Sequence, residues 1–226
     1  MKIPSMFDAI ARRYDLANAI ISLGMHKSWK RRAVREGIER LGRDEFDMLD
    51  IACGTGDLLE IAKKLAGGGR KIGLDPSFNM LKECLKKRNG HPLVRGKAES
   101  LPFGNETFDL ITVSFGVRNF EDRAEAFGEI HRVLKPKGIF VILEFAKPEG
   151  KGPIQRLSWF YTKRIVPHVG GLISGKREPY EYLAKSIERF PLPSDLTSEV
   201  EGVGFKTEKV KRLFPPITVL YIFRKS

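Results

Sequence analysis

The sequence predicts an α/β fold: a doubly wound, mostly parallel seven-stranded sheet of Rossmann-like form. Three observations predict it. Short apolar runs alternate with amphipathic stretches from about residue 46 to 145, and FDLITVSF (108–115) is an almost continuous apolar run, as in a strand buried on both faces. The third is a glycine turn, ACGTGD (52–57), between the first apolar run and the first amphipathic stretch. Strands that alternate with helices in this way pair in parallel through crossover helices.

Taken in order, residues 1–43 read as two or three helices, including the basic amphipathic KSWKRRAVREGIERL (27–41), and residues 1–45 group as an N-terminal helical lid. Residues 46–226 form the second unit. Its expected strands are FDMLDIA (46–52), RKIGLD (70–75), HPLVRG (91–96), FDLITVSF (108–115) and GIFVILEF (138–145). Helices are expected at 57–66, 77–88 and 121–136, the last stopped by Pro136. The alternation then breaks at 146–190, a helical insertion with two Gly-rich breaks and the aromatics Trp159, Phe160, Tyr161, Tyr180 and Tyr182. A helix near 193–202 precedes GFKTEKVKRLF (204–214) and ITVLYIFRK (217–225), two antiparallel strands that close the sheet.

Composition excludes whole classes. With 42% apolar and 30% charged residues in 226, the chain is neither a disordered polyelectrolyte nor membrane-embedded. The N-terminus lacks an apolar signal core, so a cytoplasmic location is expected. Two cysteines, Cys53 and Cys84, make no disulfide framework and supply too few thiolates for a Cys-based zinc site. His26, His91, His131 and His168 show no ligand spacing, so no metal is expected and each is read as structural or solvent-facing.

The strongest local signal is MLDIACGTGD (48–57). Gly54 and Gly56 let backbone approach a ligand, and the helix after Gly56 presents free N–H groups. Such a loop fits several nucleotide-type ligands. A dinucleotide fingerprint needs a third glycine where Leu59 stands, and the acids Asp50 and Asp57 flanking the turn repel a diphosphate. They suit a ligand with ammonium and sulfonium charges, as in S-adenosylmethionine. Asp75, at the end of the second strand, is placed to accept from both ribose hydroxyls; its bland role is a helix N-terminal acid, for which Ser77 competes. Lys97 and the Ala98 backbone, after the third strand, flank the expected adenine position. Ser114, at the end of the fourth, faces the same crevice.

The segments LDIACGTGD, GLDPSFNML, KAESLPF, FDLITVSFGVRNFED, HRVLKPKG and ILEFAKP resemble class I S-adenosylmethionine-dependent methyltransferases. More narrowly, MFDAIARRYDLANAIISLGMHKSWKR (6–31), SFGVRN (114–119) and PYEYLAKSIERFP (179–191) resemble the menaquinone/ubiquinone-biosynthesis C-methyltransferase family. The resemblance implies methyl transfer to a ring carbon of a prenylated quinol. It places Thr55, Asp75, Lys97, Ala98 and Ser114 at the cofactor. Two places depart from the pattern: Lys97 stands where Asp or Asn is usual, and RLFPPITVLYIF (212–223) lacks the usual glycine, its Pro215 and Pro216 being expected to reshape a pocket wall.

For such chemistry Arg118 has two readings, stabilising a developing phenolate or fixing its loop against Asp109 or Glu121. Asn119 is expected to orient the ring oxygen. Tyr14, with Asp15, either folds over the cofactor or caps a helix. The aromatic insertion is either a channel for the isoprenoid tail or an ordinary buried cap or dimer surface. A methyltransferase of another substrate, a ubiquinone-precursor benzoquinol, another small molecule or RNA, is a second possibility; RNA, which the charge favours, is disfavoured because SFGVRN stands where a base-methylating NPPY-type motif would be, and a non-enzymatic cofactor sensor is a third.

The formal charge of +12 is uneven. Residues 46–145 carry 15 basic and 14 acidic side chains, whereas 146–189 carry 9 against 4 and 205–226 carry 6 against 1. An excess confined to the flanks of the cofactor unit, beside aromatics, fits a peripheral contact with an anionic membrane better than nucleic acid.

Overall fold

The structure, a computed structural model, describes residues 3–87, 90–150 and 152–226. Met1, Lys2, Arg88 and Lys151, which the expectations above include in the lid, the second helix and the insertion, lie outside the described residues. Three helices open the chain: α1 (Ile3–Asp8), α2 (Ala11–Ile21) and α3 (Met25–Leu41). The alternating unit follows as β1 (Met48–Ile51), α4 (Asp57–Leu65), β2 (Lys71–Asp75), α5 (Phe78–Lys86), β3 (Leu93–Arg95) and β4 (Phe108–Ser114). A 3-10 turn (Val117–Asn119), α6 (Arg123–Val133) and β5 (Leu134–Phe145) complete it. The insertion is α7 (Pro153–Phe160), a π-helical turn (Tyr161–Ile165), α8 (Val166–Ser174) and α9 (Glu178–Arg189). Last come α10 (Pro193–Glu201), β6 (Phe205–Leu213) and β7 (Thr218–Lys225).

The seven strands form one sheet in the order β3-β2-β1-β4-β5-β7-β6. The first five are parallel; β7 runs antiparallel to both β5 and β6 and lies between them. The reason is visible in the residues. The stretch TVLYIF of β7 is buried throughout, as an inner strand requires, while KTEKVKR of β6 alternates toward solvent, as an edge strand does.

Strand alternation sorts the core into two layers. Leu49, Ile51, Ile111, Phe140 and Ile142 face one side and pack with Phe127 and Ile130 of α6 and Leu196 of α10. Met48, Leu110, Val141, Leu143 and Leu220 face the other, against Trp29, Ala33 and Val34 of α3 and Leu58 and Ala62 of α4. So α3 belongs to the sheet's own helix layer. The N-terminal helices therefore divide: α3 packs on the sheet, while Phe7 of α1 and Tyr14 of α2 reach the cavity at the carboxyl ends of the strands.

A third, smaller cluster joins α2 to the insertion. Ala17 packs with Val166 and Tyr180, and Tyr161 donates through its hydroxyl to the Ile21 carbonyl oxygen at 2.9 Å. Two expectations about local structure change. Helix α6 ends at Val133, before Pro136, because the chain turns into β5 at Leu134. Pro215 and Pro216 sit in the β6–β7 turn.

Candidate active site

The carboxyl ends of β1, β2 and β4 open into a cavity of about 500 Å³. Its wall includes Ala52, Gly54, Asp75, Ala98, Ser114 and Phe115, with Tyr14 and Phe7 arriving from the N-terminal helices. The backbone bends sharply to make this mouth. Ala52, just after β1, and Phe115, just after β4, both hold positive φ, of 54° and 57°, a conformation that side chains other than glycine's rarely adopt and that gathers at functional sites. Gly54 also has positive φ, and a β-carbon there would stand in open space on the cavity wall. Gly116 fits for the opposite reason: a β-carbon would come within 2.6 Å of that of Ala52.

Asp75 is the charged centre of this wall. One carboxylate oxygen accepts from the Gly54 N–H at 2.9 Å, the other from the Ser77 N–H at 2.8 Å. Each oxygen keeps a second lone pair. Ser77, not Asp75, caps α5, accepting from the Met80 N–H. Burial pushes the Asp75 pKa up to about 6, so it is an anion at neutral pH. Ser114 Oγ is buried and has no hydrogen-bond partner among the described residues.

Other residues of the glycine turn stand behind the wall. Asp50 is 1% exposed and does not line the cavity; it accepts from Thr112 Oγ1 at 2.7 Å, and burial pushes its pKa up to about 7. Gly56, with φ 83°, is the turn that starts α4. Thr55 ties the loop to α2, donating to Asp15 at 2.6 Å and accepting from Lys87 at 3.0 Å. Lys87 and Lys30 both pair with Asp57, and against the cost of burial they hold its carboxyl well below the usual range. Lys97 lines the cavity, but its ammonium pairs with Glu121 at 2.7 Å.

A second, smaller cavity of about 70 Å³ adjoins the first and shares Phe7, Tyr14 and Phe115 with it. Its wall adds His26, Trp29, Arg118, Phe145 and Tyr182, drawn from α3, the 3-10 turn, β5 and α9. Phe115 stacks on Phe145, with ring centroids 4.4 Å apart. Arg118 is fixed by a buried ion pair to Glu144 at 2.6 Å and by donation to the Phe115 carbonyl oxygen, while its Nε–H has no partner among the described residues. Asn119 accepts from the Tyr182 hydroxyl at 3.1 Å and lines the larger cavity. Pro215 and Pro216 line neither cavity.

The expected partners of Arg118 are engaged elsewhere, Asp109 with Arg43 and Lys135, Glu121 with Lys97. Sequence reasoning missed Glu144, although an acid inside the apolar run VILEF has to find a partner when buried. It also missed His26 and Tyr182 as wall residues. The other histidines fit the structural reading: His91 meets Glu60, His131 packs edge-on against Phe205, and His168 contacts the Arg164 carbonyl.

Comparison with known proteins then decides the family. A model described as the ubiE/COQ5 methyltransferase family matches residues 1–223. The chain belongs to that family. It is 35% identical to the ubiquinone/menaquinone biosynthesis C-methyltransferase UbiE of Campylobacter jejuni, over 99% of this chain and 97% of that one. It is 41% identical to the demethylmenaquinone methyltransferase of Thermotoga maritima, over 89% and 86%. Among solved structures, an S-adenosylmethionine-dependent methyltransferase from T. maritima has the same fold, with TM-score 0.67 at 18% identity over 98% and 99% of the two chains. As in this family, the protein is a methyltransferase with a seven-stranded Rossmann-like sheet.

Proposed function

We propose that the protein moves the methyl group of S-adenosylmethionine to a ring carbon of demethylmenaquinol. The observation that carries this reading is the pair of adjoining cavities, one with an anionic and polar wall, the other aromatic, meeting at Phe7, Tyr14 and Phe115. The names of the Thermotoga and Campylobacter relatives support the quinol. When bound, S-adenosylmethionine supplies an electrophilic methyl on its sulfonium.

The residues of the larger cavity fit that cofactor. The free lone pairs of Asp75 accept from the ribose hydroxyls, and the unpartnered Ser114 Oγ has a polar group to meet. Gly54 gives close backbone approach, and Lys97 and Ala98 bracket the adenine with backbone, the Lys97 ammonium being turned to Glu121. Asp50 and Gly56 act through the shape and field of the loop, and Thr55 holds the loop to α2.

In the smaller cavity, Arg118 donates through its unpartnered Nε–H to the quinol oxygen as negative charge grows there. Asn119, oriented by Tyr182, and Tyr14, on the wall of both cavities, hold the ring against the methyl. Together α1, α2 and the insertion exclude water.

The tail and the membrane belong to the same reading. Leu16 of α2, Leu23 just beyond it, and Leu157, Phe160 and Leu172 of the insertion are exposed, Leu172 by 86%, with the basic groups of 146–189 in the same segments of chain. We assign this face to an anionic membrane. No described helix is long and apolar enough to cross one. Vesicles of anionic lipid are expected to retain the protein and release it with salt; equal indifference to anionic and neutral vesicles, or burial of the face in a dimer at assay concentration, overturns the assignment.

The decisive measurement uses radiolabelled S-adenosylmethionine with demethylmenaquinol in detergent, a benzoquinol precursor of ubiquinone, and bulk RNA as parallel acceptors. Label is expected in the naphthoquinol. Label in RNA alone refutes the proposal.

A further inference from the structure

Helix α3 begins at Met25, after a left-handed Gly24, and this puts His26 in its first turn, 6% exposed, on the wall of the smaller cavity. Its Nδ1 lies 2.7 Å from Ser22 Oγ. The serine hydroxyl has one hydrogen, and it goes to the Asn18 carbonyl oxygen at 2.6 Å, which can only accept. Ser22 Oγ is therefore the acceptor for His26. It follows that Nδ1 carries the ring proton and that Nε2 is a bare lone pair. Among the described residues none donates to Nε2.

Burial, helped by two nearby lysines, favours the neutral ring. Burial lowers the His26 pKa first, then Lys30; Lys27 adds to this, while Asp57 and Asp15 oppose it. Arg118, from the 3-10 turn, Tyr14, from α2, and Tyr180 and Tyr182, from α9, are the remaining ionisable groups of those elements on the same wall. Arginine, lysine and tyrosine side chains are protonated donors at neutral pH, so they offer the quinol no base. Arg118 is further committed to Glu144.

We propose that His26, through Nε2, is the catalytic base that takes the phenolic proton of the quinol. This rests on the quinol reading above. The O–H bond breaks and its electron pair stays on the ring oxygen, while Nε2 gains the proton. The carbon ortho to that oxygen then forms a bond to the methyl carbon, and the methyl–sulfur pair stays with sulfur. The same ring carbon loses its hydrogen as a proton, the C–H pair restores the aromatic ring, and the oxygen takes back the proton from Nε2. One proton reaches solvent for each methyl transferred. Ser22 keeps the ring in the tautomer that can act.

His26→Asn tests this, because its side-chain amide retains a donor toward Ser22 and lacks the Nε2 base. Expected is a fall in kcat of about 10²–10⁴-fold, as for loss of a general base, with cofactor affinity and melting temperature unchanged. The residual rate should climb tenfold per pH unit, following spontaneous ionisation of the phenol, whereas the wild-type rate levels off once His26 is neutral. Imidazole is expected to restore part of the turnover of His26→Ala. A second readout needs no turnover: ¹⁵N NMR of the imidazoles should show Nδ1 protonated and Nε2 bare, and the Nε2 resonance should shift when a methylated naphthoquinol is added. Wild-type kcat in His26→Asn between pH 6 and 9, or an Nε2-protonated tautomer, overturns the proposal. A wild-type enzyme that ignores demethylmenaquinol, yet methylates another phenol with the same dependence on His26, overturns the quinol reading alone.

Discussion

Arg118 and Glu144 form an ion pair closed off from water, Nη1 to Oε1 at 2.6 Å, with side-chain exposures of 5% and 0%. The second carboxylate oxygen also accepts the Arg118 backbone N–H at 3.2 Å. A pair this deep contributes less to net stability than its geometry suggests, because both charges have left water. Removing one partner is another matter. Glu144→Ala is expected to destabilise the protein by about 3–5 kcal/mol in urea titration. Replacing both, as Arg118→Met with Glu144→Leu, should recover most of that loss while turnover stays down by about 10²–10³-fold. Recovery of turnover with stability would leave the pair a purely structural role.

Asp75 is expected to control cofactor affinity. Asp75→Asn removes the charge and one acceptor, at a cost of about 1.5–3 kcal/mol, roughly a ten- to hundredfold rise in Kd by calorimetry. With its pKa at about 6, the wild-type carboxyl becomes protonated below that value and loses an acceptor. Affinity should therefore fall between pH 7 and 5 in the wild type and stay flat in the variant.

Asp50 is expected to behave in the opposite way. Its pKa of about 7 lies above the ordinary carboxylate value, so between pH 4 and 7 the folded state holds a proton that the unfolded chain has lost. Stability from this group declines as pH rises through that window. Asn in its place still accepts from Thr112 and carries no charge, so Asp50→Asn should gain on the wild type by on the order of 1–3 kcal/mol from pH 5 to pH 8. Thermal melts at the two pH values measure it. Cofactor Kd should change less than in the Asp75 variant, since Asp50 lies behind the wall and acts only through its field.

Gly116→Ala probes the mouth of the larger cavity. Its β-carbon would meet that of Ala52 at 2.6 Å, so the β1 and β4 loops must part. A cost of about 1–3 kcal/mol is expected, with weaker cofactor binding. An unchanged Kd would show that the loops give elsewhere.

The wall of the larger cavity was legible because it is local: Gly54 sits in one glycine turn, and Asp75, Ala98 and Ser114 stand at or just after the ends of successive strands. Spacing along the chain maps there onto position in the fold. The aromatic cavity was legible only in parts. His26, Arg118, Phe145 and Tyr182 come from four elements whose meeting depends on how the insertion folds back, and no periodicity encodes that. Arg118 was singled out with the wrong partners, since pairing of Glu144 follows from the depth of β5. The order of the last two strands was readable in hindsight, from the uniform burial of β7 against the alternation of β6.

The small cluster of Ala17, Val166 and Tyr180 shares no residue with the two large cores on the sheet. Cooperative units defined by separate packing open with separate free energies. The roof over the cavities is thus expected to open at a lower temperature than the floor. Such an enzyme would stop working on warming while calorimetry still finds it whole, and the residues that set its upper working temperature would be those of α2 and α8, not those of the sheet.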